Sequence, residues 1–369
     1  MPHTPDPIED GLDSLPPPVF HVEQALLGAL LLEPHCGAGL TGITAGAFSS
    51  AAHAALFAAI RSLPAPEPAE HAKTTTWLNR VLTAAEEQTR GLTTTYLHHL
   101  IQCCPEPHHA PAYARIIEEE YSRRLLRAAA HRLIQTTLDT SLPHRVATTL
   151  AEAGTLTTVV NDIATRFPTR SGSLPRTPAS TPVTTRDEAA GEEEQLLLAT
   201  ATARPGSVDG MRWLVPGDFT HPLHAGLWQC LTTLTRRGTP IDPVTVLWEA
   251  QHHGIAGAAE PRELLGLLSE PDGCDPEHWG EQILQRSLLT TAHHTGRRIE
   301  TLTDDPATTT YQLVVGARRA LADLSAVRAR WHHATTPPQV NTPTRTKATA
   351  PPRAGPPPTT APPSVRIPR

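Results

Sequence analysis

His21-Val22-Glu23-Gln24-Ala25-Leu26-Leu27 opens a stretch, running to Leu63, that this chain contains twice. An offset of 171 carries Glu23 onto Glu194, Gln24 onto Gln195, and Leu26 and Leu27 onto Leu197 and Leu198. The same offset carries Gly46 onto Gly217, Phe48 onto Phe219, His53 onto His224 and Ala54 onto Ala225. Phe57 meets another aromatic, Trp228; further on, Thr74 meets Thr245 and Trp77 meets Trp248. A gap-free match of this length marks an internal duplication. Its period is far longer than the roughly 20–50 residues of solenoid repeats, so each copy is expected to be a domain of its own.

One copy reads Glu-Gln-x-Leu-Leu-Gly-x-Leu-Leu-Leu, then a Phe after a short loop, then His-x-x-Leu-Phe-x-x-Ile. This resembles the N-terminal domain of DnaB-type replicative helicases. The first copy carries the pattern at Glu23, Gln24, Leu27, Gly28, Leu31, Phe48, His53 and Phe57. Its long hairpin, from Tyr113-Ala114-Arg115-Ile116-Ile117 to Arg124-Leu125-Leu126, also resembles the family. The second copy departs from it: Ala199 replaces Gly28, and Ala203-Arg204-Pro205 ends the apolar run early. Pro240-Ile241-Asp242-Pro243-Val244-Thr245, by contrast, is closer to the family pattern than its counterpart. The resemblance covers roughly residues 20–165 and 187–332. It implies an all-α fold of two tandem domains, each a small helical bundle plus a long helical hairpin.

Composition is consistent with a cytoplasmic protein. The formal charge of −6 on 369 residues is mild and selects no partner. No apolar run approaches the roughly 18 residues of a membrane span, and Met1–Asp6 lacks the charged and apolar regions of a secretory signal. The five cysteines, Cys36, Cys103, Cys104, Cys230 and Cys274, form no disulfide framework.

Residues 1–18 are polar and proline-rich and are expected to be disordered. The first domain covers 19–167, a Pro/Ser/Thr-rich linker covers 168–185, and the second domain covers 186–333. The tail 334–369 is basic, Pro/Thr-rich and expected to be disordered. Apolar periodicity predicts helices near 19–32, 75–85, 93–103 and 111–137, one capped by Ser49 or Ser50 that carries His53, Leu56, Phe57 and Ile60 and is ended by Pro64–Pro68, and a partner helix to Phe167 capped by Asp139-Thr140-Ser141. In the second copy Asp305 is expected as N-cap, with Pro306 at N1, of a final helix reaching His332. Trp77 and Trp248 are expected in the cores.

Chemistry is sought and mostly not found. A P-loop needs a lysine after glycine to cradle phosphates; the only lysines, Lys73 and Lys347, follow Ala72 and Thr346. Helicase activity is therefore not carried over from the resemblance. Cys103-Cys104 with His108-His109 has poor spacing for a tetrahedral ion, and neither metal nor cofactor is expected. His53 and His224 are read as structural histidines without a recurring carboxylate partner. Glu23 and Glu194 are read as helix-start residues favoured by the dipole.

Two sets of residues are candidates for contact. Ile117, Tyr121, Leu125, Leu288, Leu289 and Ile299 form apolar stripes on the two hairpins, expected to pair with each other inside one chain and leave a monomer. Arg123, Arg124 and Arg127, with Arg345, Lys347, Arg353, Arg366 and Arg369 of the tail, are candidates for nucleic-acid phosphate. The resulting expectation is a non-catalytic accessory or regulator of DNA replication that contacts helicase, primase or a loader. The alternative is a nucleic-acid-binding protein using the tail and the hairpin arginines.

Overall fold

Helix α1 (Pro18–Leu32) begins with a proline whose missing N–H costs nothing at a helix start. From Glu23 to Leu31 it is buried on every side, as a helix running through a core should be. In the computed structural model, which describes residues 16–168, 188–255, 260–269 and 275–336, four shorter helices gather around it: α2 (Ala51–Ser62), α3 (Pro68–His71), α4 (Thr76–Glu86) and α5 (Thr94–Gln102). Gly28 is the crossing point with α5, where an added Cβ would stand 2.1 Å from the Leu100 carbonyl oxygen. The hairpin of α6 (Ala110–Leu138) and α7 (Arg145–Arg166) completes the copy.

The second copy repeats the plan with α8 (Glu188–Ala203), α9 (Pro222–Arg237), α10 (Pro243–His252) and α11 (Pro261–Ser269), then the hairpin of α12 (Pro276–Asp304) and α13 (Thr310–Thr335). α9 is closed by Gly238 in the left-handed conformation at φ +66°, a backbone state that glycine reaches without a Cβ clash. The fold is all-α, with no strand among the described residues.

The duplication extends through the hairpins, but the offset shrinks along the chain. α6 and α12 match at 166, Ala110 onto Pro276 and Leu138 onto Asp304. Ile117 then falls on Ile283, Ala130 on Gly296 and Leu133 on Ile299, all buried. α7 and α13 match at 164: Thr149, Ala153, Leu156, Val160 and Ile163 fall on Leu313, Ala317, Ala320, Leu324 and Val327. These positions alternate four and three residues apart, the spacing of a coiled-coil seam.

Three apolar cores result. The first lies within copy one, around Leu26, Leu30, Phe48, Phe57, Leu100 and Ile117. The second lies within copy two, around Leu197, Phe219, Trp228, Leu231, Ile283 and Leu288. The third belongs to both: Leu126, Ala129, Ala130 and Leu133 of α6 and Leu156 and Val160 of α7 pack with Ala292 and Ile299 of α12 and Ala317 and Leu324 of α13. All described helices fall in one compact unit, Met1–Thr335; the remainder, Thr336–Arg369, lies outside the described residues beyond its first residue.

Several local expectations need correction. Trp77 is buried and its indole N–H donates to the Pro64 carbonyl at 3.0 Å, but Trp248 is 65 % exposed. Val246 and Ala250 are the buried apolar residues of α10, so the Trp-on-Trp coincidence lies beyond the point where the offset of 171 holds. Asp139 does not cap α7; its carboxylate accepts from the Ser141 N–H and hydroxyl within the connecting loop. Asp305 likewise holds a turn, accepting from the Ala307 N–H and Thr308 hydroxyl. The real start of α13 is reciprocal: the Gln312 side chain accepts from the Thr309 N–H, and the Thr309 hydroxyl accepts from the Gln312 N–H. Short acidic side chains make such local turns readily. The expectations for residues 1–15, 169–185 and 337–369 lie outside the described residues; Pro18 already begins α1, and Ala334 and Thr335 belong to α13.

Candidate functional site

The seam between the hairpins is the largest feature that neither copy possesses alone. α6 and α12 cross where both carry small residues. A Cβ on Gly296 would stand 2.6 Å from Ile134 Cγ1 and 3.1 Å from the Ala130 carbonyl oxygen. The two backbones thus approach closer than larger side chains would allow.

Polar contacts fix the register of this seam. The Arg123 guanidinium reaches from α6 into the α12–α13 loop and donates to three carbonyls, of Thr303 at 3.1 Å, Asp305 at 2.9 Å, and Thr308. Arg127 pairs with Asp304. His131 Nδ1 lies 3.1 Å from Glu300 Oε1, and the Thr137 hydroxyl lies 3.3 Å from His293 Nδ1. Five N–H donors in a planar fork suit arginine to capping several loop carbonyls at once. Exposed ion pairs such as Arg127–Asp304 contribute little on their own, so apolar burial holds the seam and the arginines set its register.

Within each copy a buried carboxylate and a histidine join the first two helices. Glu23 Oε2 lies 2.7 Å from His53 Nδ1, both side chains fully buried. Glu23 Oε1 accepts from the Ser49 N–H at 2.6 Å, and His53 Nε2 lies 2.7 Å from the Tyr96 hydroxyl. In copy two, Glu194 Oε2 lies 2.8 Å from His224 Nδ1, and Glu194 Oε1 accepts from the Thr220 N–H and hydroxyl at 2.6 and 2.7 Å. Burial pushes both carboxyls up, but hydrogen bonds outweigh it: from His53 and Ser49 on Glu23, and from His224 and Thr220 on Glu194. Both carboxyls are held below the ordinary glutamate value. The histidines therefore do have a recurring carboxylate partner, which corrects the reading of Glu23 and Glu194 as dipole residues. The pair is thirty residues apart in sequence in both copies, and that repeated separation was the available signal.

A further arginine in each copy pins the loop before the second helix. Arg124 donates to the Ala47 and Phe48 carbonyls. Arg330 of α13 donates to the Trp213 carbonyl and pairs with the buried Asp218, which also accepts from Ser287 at 2.6 Å. Sequence pattern did not point to Arg330 or Asp218, because no period links them.

The residues singled out from sequence separate in space. Ile117 lies in the first core with Tyr121 packed against it, and Leu125 is half-buried. Leu288 and Leu289 lie in the second core, and Ile299 lies in the shared one. Arg123 and Arg124 turn inward to loops of this chain, and Arg127 stays exposed beside Asp304 at the end of α12. Arg345, Lys347, Arg353, Arg366 and Arg369 lie outside the described residues.

Burial, with the nearby Glu249, pushes the Cys230 thiol on α9 up to about 11, and burial also raises Cys36 and Cys104, the reverse of an activated thiolate. Cys103 Sγ lies 3.4 Å from His99, and His108 pairs with Glu106. Among the described residues no cluster of three or more His, Cys, Asp or Glu is arranged to hold a metal. No helix among them is long and apolar enough to cross a membrane.

The family model described as "DnaB-like helicase N terminal domain" matches residues 15–119 and 187–271, together just over half of the chain. The two matched stretches contain α1–α5 with the start of α6, and α8–α11. No solved structure matches the chain.

Proposed function

Because this chain belongs to the family of DnaB-like helicase N-terminal domains, with two tandem copies of that domain, we propose that it is a non-catalytic accessory of DNA replication acting through protein contacts. The observation that carries this reading is the seam. The family resemblance implies that the hairpin pairs with the hairpin of another subunit to build a ring collar. Here each hairpin finds its partner in the same chain, through Leu126, Ala130, Leu133, Ile299 and Leu324. The surfaces by which a ring would recruit this chain are thereby covered, and its outer faces are left for helicase, primase or a loader. The absence of any lysine in a P-loop context supports a role without nucleotide hydrolysis.

The inward use of Arg123 and Arg124 counts against these two residues as a nucleic-acid surface. The test is size-exclusion of the purified chain with the replicative helicase and with the primase of the same cell. Co-elution with one of them, persisting as salt is raised, is expected. Absence of any complex with either, or a complex only with DNA that weakens steeply with salt, would contradict the proposal.

A further inference from the structure

α6 and α12 run antiparallel along the seam. Their contacts follow in order: Arg127 with Asp304, His131 with Glu300, Ile134 against Gly296, and Thr137 with His293. The offset of 166 carries Arg127 onto His293 and Leu138 onto Asp304. The two ends of the crossing are therefore equivalent places with different chemistry. At one end a permanent cation, Arg127, meets the Asp304 carboxylate. At the other end the basic residue is a histidine, and Leu138 occupies the position that matches the carboxylate.

His293 is half-buried, one turn from Gly296. Its Nδ1 lies 3.3 Å from the Thr137 hydroxyl. That hydroxyl donates its own proton to the Ile134 carbonyl at 2.6 Å, so toward the ring it is an acceptor. The network thus assigns the neutral ring's proton to Nδ1, and acid adds the second proton at Nε2. The charged groups on the surrounding elements do not answer that charge. α12 itself carries His294, Arg297 and Glu300, and Glu300 is already shared by Arg297 at 2.7 Å and by His131 of α6 at 3.1 Å. From α7, Arg145 donates to the Thr137 carbonyl at 3.0 Å, and Glu152 is held by Arg132 of α6. Asp139 of the α6–α7 loop accepts from Ser141. Asp323 of α13 is held by Arg298, and Glu193 of α8 by Arg286, two turns earlier on α12.

We propose that His293 makes the hairpin seam pH-sensitive: neutral, it ties α12 to α6 through Thr137; protonated, it sets an uncompensated positive charge in the crossing and loosens it. Burial, followed by His294 and Arg297, holds the ring below the ordinary histidine value, with Glu300 opposing. A histidine lowered in this way contributes its full stability above the unfolded-state value, about 6.5. It loses that contribution as pH falls through this value toward the native one. The device acts on the seam itself and is independent of whether helicase or primase binds the chain.

The test follows the full chain from about pH 7.5 to about pH 5.5, the range in which histidine changes charge. The His293 ring resonance, assigned through its backbone, should titrate with a midpoint below that of free histidine. Over the same range the amide protection factors of residues 134–138 in the wild-type chain should fall several-fold, and the melting temperature with them. His293→Gln should remove most of that fall, and His131→Gln should keep it. His293→Arg, which fixes the charge, should already show at the upper pH the loosened seam of the wild-type chain at the lower one. A His293 midpoint at or above the free value would overturn the proposal; it is read on the wild-type chain, whatever the variants do to folding. An equal pH dependence in His293→Gln would also overturn it, as would a fall abolished by His131→Gln, or a His293→Arg seam as tight as the wild type at the upper pH.

Discussion

Gly296 of α12 lies so close to Ile134 of α6 that a Cβ at Gly296 would stand 2.6 Å from Ile134 Cγ1. One residue belongs to each copy, and the contact exists only because the hairpins pair. Gly296→Leu should therefore strike the seam rather than either copy's own core. Overpacking of this kind costs about 1–3 kcal/mol. Calorimetry should show a lowered melting temperature, with helical circular dichroism largely kept. A variant as stable as the wild type would mean the helices do not cross there.

The Glu23–His53 and Glu194–His224 pairs predict an acid-sensitive fold. Both glutamates are held below their ordinary value in the folded chain. Groups of that sign stabilise the fold above the unfolded-state value, about 4.3, and lose the contribution as pH falls through the lowered native value. Stability should thus drop with acid from about pH 4.3 downward. The double variant Glu23→Gln, Glu194→Gln should flatten that limb and melt lower at pH 7. An unchanged acid slope would show that these carboxyls do not carry it.

His53→Ala removes the partner of a fully buried carboxylate. Breaking a buried pair by deleting one member costs about 3–5 kcal/mol, since the remaining charge is left uncompensated. Denaturant midpoints of this variant and of His224→Ala should both fall. A shift below about 0.5 kcal/mol in both would mean water reaches these sites.

The two tryptophans at the apparent sequence match should behave oppositely. Trp77→Ala should cost about 3–5 kcal/mol, as for a buried aromatic, and Trp248→Ala should stay within about 0.5 kcal/mol. Trp248 is exposed on α10, with His252 edge-on at 5.1 Å. Equal losses would restore Trp248 to the core.

Much of this fold is legible in the sequence, because helical period and the repeated core residues need only local reading. Phe48 and Phe219 recur and are both buried. What was not legible involves choice of partner. The stripe on α6 is continuous, yet Ile117 serves the copy's own core and Leu133 the shared one; a single apolar face does not say what covers it. Arg123 and Arg127 read as candidates for nucleic-acid phosphate because their partners within this chain, Thr303 to Thr308, lie about 180 residues away. Asp139 and Asp305 looked like caps because a short carboxylate serves a cap or a loop turn with the same geometry.

The most direct test of the paired-copy account is the nuclear Overhauser effect between the Ile134 methyls and the Gly296 α-protons. Labelled chain should be diluted tenfold with unlabelled chain. The account predicts a cross-peak whose intensity per labelled molecule is unchanged by that dilution. An absent cross-peak, or one that survives only in an isotope-filtered intermolecular experiment, would contradict pairing within one chain.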